Sequence, residues 1–396
     1  MPEVFESLIY PFDSDSFSKE IYQKKAVKIN GGIGKSQLNF NWDSLNSLLN
    51  TKKIPLAKIK LFANGIPVPE PADHYAVLRH CINGGELIIL DVEDHELQIR
   101  ELCYSLADQL KSTIHSSLFI SSPENYPRNY ISQFYNTFVI QLAGRKKWQI
   151  CSPIDQTQQN NSPKGAPVNL RHEPVPYLEC QLQPLDILYI PARHYYKPEN
   201  SEPSLHLGLI IKQHTGGDYL SWLVNNELVN DELFTRHFPL EYQENIKDGN
   251  WLSPSWKERL AELTASFKEK LADKNLIERY YEFLVKNQQG SVNYTFPFPF
   301  ISEPVHDLQG VKLLRATYQD SIIKNNTEEK MINIFFWKQK LNYPEKYLNL
   351  VEYVFGRTEI NGADLLALEA PLTKEEITEW VNDLIKRGIL QLQPVV

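Results

Sequence analysis

Between residues 116 and 211 the apolar positions fall in short extended runs separated by loops: SLFIS (117–121), TFVIQL (137–142), KKWQIC (146–151), LECQL (178–182), DILYI (186–190) and SLHLGLII (204–211). Many short strands at this spacing predict a β-barrel or sandwich. The stretch before them is mixed. Trp42 to Leu49 has helical spacing, and Ile59 to Val68 makes two extended runs about Asn64-Gly65. Ile99, Leu102, Cys103, Leu106 and Leu110 form one helical stripe that has to face a core.

Beyond the strands the period returns to that of helices. Leu220, Leu223, Val224 and Leu228 are expected on one face, and a second helix is expected to start in a capping box of Ser255 and Glu258. That helix would carry Trp256, Leu260, Leu263, Phe267 and Leu271 as a stripe. Asn293 to Phe300 alternates aromatic residues with two prolines and reads as an edge-type extended segment. In the last fifty residues Thr373 and Glu376 make a capping box, and Ile377, Trp380, Val381, Leu384 and Ile385 make a stripe. Gly388 ends that helix and ILQLQ (389–393) follows, an order that predicts a winged helix.

Composition narrows the class. A chain of 396 residues with 42% hydrophobic content has ample core for one large or two to three ordinary domains. The four cysteines (Cys81, Cys103, Cys151, Cys180) include no C-x-x-C pair, which argues against a zinc knuckle or a disulfide framework and suits a reducing cytoplasm. Met1 to Lys19 lacks a basic n-region followed by an apolar run, and no window approaches the length of a membrane span, so an unprocessed protein with no membrane partner is expected. The net charge of −8 lacks the basic footprint of a phosphate-binding protein. The helix from Lys374 to Arg387, with Glu375, Glu376, Glu379 and Asp383, would repel a duplex, so nucleic acid is not an expected partner. GGIGKS (31–36) lacks the spacing of a phosphate loop, and no G-x-S-x-G or H-E-x-x-H occurs.

The informative stretches are NYISQFYNTFVIQLAGRKKWQICSP (129–153) and QPLDILYIPARHYYKPENSEPSLHLGLII (183–211). In their order, FVIQLAGRKKW, then LDILYIP, then SLHL, they resemble the JmjC-type ribosomal protein hydroxylases, cupin-like 2-oxoglutarate oxygenases. The resemblance implies a mainly β core, a double-stranded β-helix of cupin/JmjC type with flanking helices. It also implies three parts: the β-helix domain with its lead-in (1–215), a helical dimerisation region (216–300), and a C-terminal region (301–396) with the winged helix at about 345–396.

Members of that family hold Fe(II) with an H-x-D and a distal histidine, because two neutral imidazoles and a carboxylate on one face leave positions open for 2-oxoglutarate and O₂. Carried across, the resemblance puts these ligands on Ile131, Gln133 and Tyr196, and puts Leu185 where a glycine usually precedes Asp186. Isoleucine cannot coordinate a metal, Gln133 offers a neutral amide, and a neutral phenol is a poor ligand at pH 7. Lys146 is implied as the residue that pairs with the distal carboxylate of 2-oxoglutarate, though a hairpin lysine is more often exposed. His206 in SLHL lies at a position that the resemblance implies is commonly histidine, and a ligand there stands against the ordinary hydrogen-bonded core histidine.

A rescued metal site would use His194, two residues before Tyr196 and on the same face in an extended strand, with His206 and Gln133. It would lack a carboxylate; Asp186 stands at a turn position, and His172 and Glu173 lie in a loop that the motif does not place. The sequence therefore favours a pseudo-oxygenase without the Fe(II) triad and with no cofactor, a homodimer that binds a peptide or protein partner in the β-helix groove or acts metal-free. The alternative is an active hydroxylase of a peptide, protein or amino-acid side chain, with Fe(II) and 2-oxoglutarate on non-standard ligands.

Overall fold

The structure is a computed structural model. It describes residues 4–31, 38–63, 65–123, 130–153, 174–240, 253–287, 304–315, 321–326, 329–336 and 339–393. Asn64, His172, Glu173, the segment 293–300 and positions 32–36 of GGIGKS lie outside the described residues. The chain divides into two compact units, 1–213 and 214–396.

The first unit holds twelve strands: β1 Val27–Ile29, β2 Ile59–Ala63, β3 Ile66–Pro67, β4 Glu86–Leu90, β5 Thr113–Ser121, β6 Ile131–Ser132, β7 Asn136–Ala143, β8 Lys146–Cys151, β9 Leu178–Leu182, β10 Ile187–Ile190, β11 Tyr195–Asn200 and β12 Ser204–Lys212. They form an eight-stranded sheet in the order β1-β10-β7-β12-β5-β4-β2-β3 and a four-stranded sheet in the order β6-β11-β8-β9. Every pairing is antiparallel.

Because side chains alternate across a strand, each strand of the large sheet serves two cores. Phe138, Ile140 and Leu142 of β7 and Leu205, Leu207, Leu209 and Ile211 of β12 join Ile99, Cys103 and Leu106 in the main core. These last come from the helix Leu97–Leu110, the stripe expected from the sequence. The opposite face of β7 and β10 offers Val139, Leu188 and Ile190, which pack on Trp148, Ile150 and Leu182 of the small sheet. The two sheets therefore lie face to face, with the intervening positions of β4, β5, β7 and β12 turned inward.

The loop before β10 holds an instructive departure. Leu185, where the resemblance implies glycine, has φ 74, a left-handed conformation that disfavours a side chain. Asp186 accepts from the backbone N–H of Gly31 (2.9 Å) and Gln183 (3.0 Å) and pairs with Lys28 at 2.9 Å. Burial works to raise its carboxyl, yet Lys28 and the two amides hold it below the usual carboxylate range. Asp186 thus builds a turn.

In the second unit the run Leu223–Leu228 is a π-helical turn continuing the helix Gly216–Trp222. The wider turn rotates the stripe, so Trp222, Leu223 and Leu228 are buried while Leu220 and Val224 are exposed, unlike the simple 3.6-residue expectation. The helix Pro254–Ala272 is capped by Ser253, which accepts from Trp256 N–H at 3.3 Å, rather than by Ser255: Pro254 fills the first helical position. Leu260 on this helix is 39% exposed.

Toward the C-terminus β13 (Lys312–Arg315) pairs with β17 (Glu359–Asn361) and β18 (Leu390–Leu392), while β14 (Ile322–Asn326), β15 (Met331–Phe336) and β16 (Gln339–Pro344) form a separate sheet. The helix Lys374–Lys386 starts in the expected reciprocal capping box of Thr373 and Glu376 and buries Ile377, Trp380, Val381, Leu384 and Ile385. Among the described residues no helix is long and apolar enough to cross a membrane.

Candidate functional site

The inward positions of the two sheets enclose a cavity of ≈ 380 Å³. Ile131, Gln133, Tyr196, Lys146 and His206 all line it. Tyr196 pairs with Ile131 on one side and Ile150 on the other, and four residues along the same strand Asn200 pairs with Lys146. At roughly 3.3 Å per residue the two ends lie about 13 Å apart.

One end is charged. Lys146 is 3% exposed and donates to Ser121 Oγ at 3.0 Å, with its ammonium 5.8 Å from the centre of the Trp148 ring. Glu86, at the start of β4, lines the same end and is 8% exposed. Burial pushes the Glu86 carboxyl up and the Lys146 ammonium down, and their mutual attraction opposes both shifts. Among the described residues the Glu86 carboxylate has no ion pair within 4.0 Å.

The middle is aromatic. His206 stacks on Phe119 with centroids 4.7 Å apart and rings 2° from parallel, and meets the edge of Trp148 at 5.5 Å. Burial, reinforced by the nearby Lys146 charge, lowers its pKa well below the ordinary value, so the ring is neutral. Its buried Nδ1 has no hydrogen-bond partner among the described residues. Gly208, two residues on, leaves room for the Phe119 ring: a Cβ there would lie 2.9 Å from Phe119 Cε2.

The other end holds Ile131, Gln133 and Tyr196 with Val139, Ile190 and Ile210. The Gln133 amide nitrogen donates to Thr137 Oγ1. Burial pushes the Tyr196 phenol up to about 12, away from the phenolate that would bind a metal. Isoleucine, a neutral amide and a neutral phenol do not make a donor set for Fe(II), which asks for imidazole and carboxylate. His194 lies elsewhere. Arg193 has φ 66 and β11 begins only at Tyr195, so His194 does not share an extended face with Tyr196. Its ring packs on Tyr177 at 5.9 Å, and burial keeps it neutral.

A second cluster brings Asp91, Glu93 and His115 within 4.8 Å of one another. These groups are already engaged: Lys58 pairs with Asp91, and Glu93 accepts from the backbone N–H and hydroxyl of Ser116 and meets His115 Nδ1 at 3.3 Å. The neighbouring carboxylates, led by Glu93, raise the His115 pKa, as expected of a hydrogen-bonded triad of mixed charge.

Residues 92–219 match the JmjC domain family model. This segment is a JmjC domain. The "bifunctional lysine-specific demethylase and histidyl-hydroxylase NO66" of Drosophila persimilis is 26% identical over 46% of the chain and 27% of its own length. Human "ribosomal oxygenase 1" is 26% identical over 55% of the chain and 36% of its own length. The chain thus spans about a quarter to a third of these curated relatives. The crystal structure of Escherichia coli ribosomal oxygenase YcfD covers 96% of the chain and 98% of its own length with a TM-score of 0.58 at 14% identity, a likeness of fold. YcfD in complex with cobalt and 2-oxoglutarate superposes equally, at TM-score 0.58 and 14% identity over 97% of this chain and 99% of that one. The fold is therefore JmjC, cupin-like, with antiparallel sheets.

Glu86 escaped the sequence reading. A lone carboxylate opening the apolar run ELIIL was its signal, because Glu86 and Ile88 share the inward face of β4 while Leu87 and Ile89 join the main core. The strand β11 escaped as well, since Pro198 within YYKPEN argues against a strand; it is paired on both sides only where Tyr195 and Tyr196 meet β6 and β8.

Proposed function

We propose that this JmjC chain is a pseudo-oxygenase: a binding protein that keeps the groove of its relatives and works without Fe(II) and without turning over 2-oxoglutarate. The observation that supports this reading is the convergence of Ile131, Gln133 and Tyr196 at one end of the cavity, with the Gln133 amide nitrogen on Thr137 and the Tyr196 phenol held neutral. The partner in the groove would be a peptide or protein. The four cysteines are unpaired, which suits the cytoplasm. The helices over 216–287 would mediate a homodimer through faces such as Leu260, Ile277 and Tyr281, which are 39–56% exposed. The region at about 345–396, with the helices Leu348–Phe355, Gly362–Ala367 and Lys374–Lys386 and the strands β17 and β18, would be a winged helix used for packing rather than for DNA.

The test is metal content and turnover. Protein purified with Fe(II), then assayed with 2-oxoglutarate and O₂, is expected to hold far less than one iron per chain and to form no succinate. Stoichiometric Fe(II) with succinate formation, both lost in His206→Ala, would establish the alternative of an active hydroxylase on non-standard ligands, for which the unpartnered His206 Nδ1 is the one supporting observation.

A further inference from the structure

The cavity is polarised in a way that suits a ligand other than 2-oxoglutarate. At its charged end the Lys146 ammonium spends one hydrogen on Ser121 and has two more to donate. Glu86 faces the same space without contacting that ammonium. Along the middle lie the faces of Trp148 and Phe119. The far end is lined by the aliphatic side chains of Ile131, Val139, Ile190 and Ile210 with the neutral Gln133 and Tyr196. Among the described residues no cationic side chain lines that end.

We propose that this chamber is a binding site for a small apolar monocarboxylate, whose carboxylate meets Lys146 and whose hydrocarbon or aromatic body runs along Trp148 to Ile131. The proposal rests on the pseudo-oxygenase reading, because a metal at the far end would supply the charge that a second carboxylate needs. Without it, a dicarboxylate that reaches from Lys146 places its second charge beside Ile131, Val139, Ile190 and Ile210, where only the neutral Gln133 and Tyr196 could offset the loss of water. A monocarboxylate instead buries methylene groups there, each worth about fourfold in affinity. Glu86 adds to the discrimination. With its carboxyl protonated, the form that burial favours, Lys146 carries the one charge that an external carboxylate neutralises, and a second carboxylate has no partner at that end.

Calorimetric titration of the full chain in the presence of a chelator tests this, with butyrate, hexanoate, octanoate and 3-phenylpropionate as probes and 2-oxoglutarate, succinate and octanamide as controls. The expected result is one site per chain, affinity rising about fourfold per added methylene, and octanoate bound at least tenfold more tightly than either dicarboxylate or the amide. Lys146→Met is expected to lower octanoate affinity at least tenfold while keeping the thermal midpoint. Affinity independent of chain length, no saturation at millimolar octanoate, or equal binding of succinate would overturn the proposal on the wild-type chain alone, whatever the variant does. Repeating the 2-oxoglutarate titration with Mn(II) in place of chelator separates the two claims. Metal-dependent 2-oxoglutarate binding would sink the pseudo-oxygenase reading, whereas failure of the monocarboxylate series in chelator sinks this site.

Discussion

The two ends of the JmjC cavity, about 13 Å apart along β11, have gone different ways. At one, Lys146 stays charged-capable and hydrogen-bonded to Ser121 although only 3% exposed. At the other, Ile131, Gln133 and Tyr196 offer no anionic or imidazole donor. A buried lysine beside a buried glutamate is an expensive arrangement to keep in a protein interior, whereas isoleucine and tyrosine are ordinary core residues. The contrast teaches that one cavity can pair a wall with no metal-binding donor set with an end that buries two ionisable groups, an arrangement that suits the binding role proposed above.

The largest effect should come from reversing the neutral end. Ile131→His, Gln133→Asp and Tyr196→His made together should raise Mn(II) or Co(II) affinity by several orders of magnitude, because they rebuild two imidazoles and a carboxylate on one wall. Calorimetry without detectable binding would mean that these three side chains do not converge as the cavity places them.

A smaller effect probes the charged end. Since burial works against both charges, the double variant Glu86→Gln with Lys146→Met should be as stable as the parent or more stable by about 1–2 kcal/mol, as when buried ion pairs are replaced by neutral groups. The pH dependence has a definite sign. Glu86 has a raised folded pKa, so its contribution is present below its unfolded value of 4.5 and lost as pH rises through the folded one. Lys146 has a depressed folded pKa, so its contribution is present above its unfolded value of 10.5 and lost as pH falls through the folded one. Both are lost together near neutrality. Glu86, Lys146, Tyr196 and His206 are the titratable groups lining the cavity, and Tyr196 and His206 stay neutral there. Urea unfolding should therefore show the double variant's advantage greatest near neutral pH and shrinking toward both extremes. A double variant less stable than the parent by more than about 1 kcal/mol would make the pair a structural element and erase the contrast.

The smallest effect is expected at the neutral end. Tyr196→Phe removes a hydroxyl that makes no hydrogen bond within the described protein, so stability should change by no more than about 0.5 kcal/mol. A loss of several times that would show the phenol holding something in place.

The hydrophobic alternation was enough to foresee the β core, the helix Leu97–Leu110 and the capped helix Lys374–Lys386, because each is a local pattern whose period matches one backbone geometry. The JmjC motif context was enough to single out Ile131, Gln133, Tyr196, Lys146 and His206 before any coordinates, since the side-chain chemistry of a donor set is written in residue identity. What the chain alone left open is what depends on partners distant in sequence. Glu86 becomes Lys146's neighbour only when β4 and β8 face each other across the cavity, and no local spacing connects positions 86 and 146. His194 looked equivalent to Tyr196 by count, but the left-handed Arg193 and the late start of β11 turn it onto Tyr177. Identity and period are properties of the chain; the electrostatic environment of a buried group is set by everything folded around it, and only the tertiary structure could decide that this cavity has one charged end.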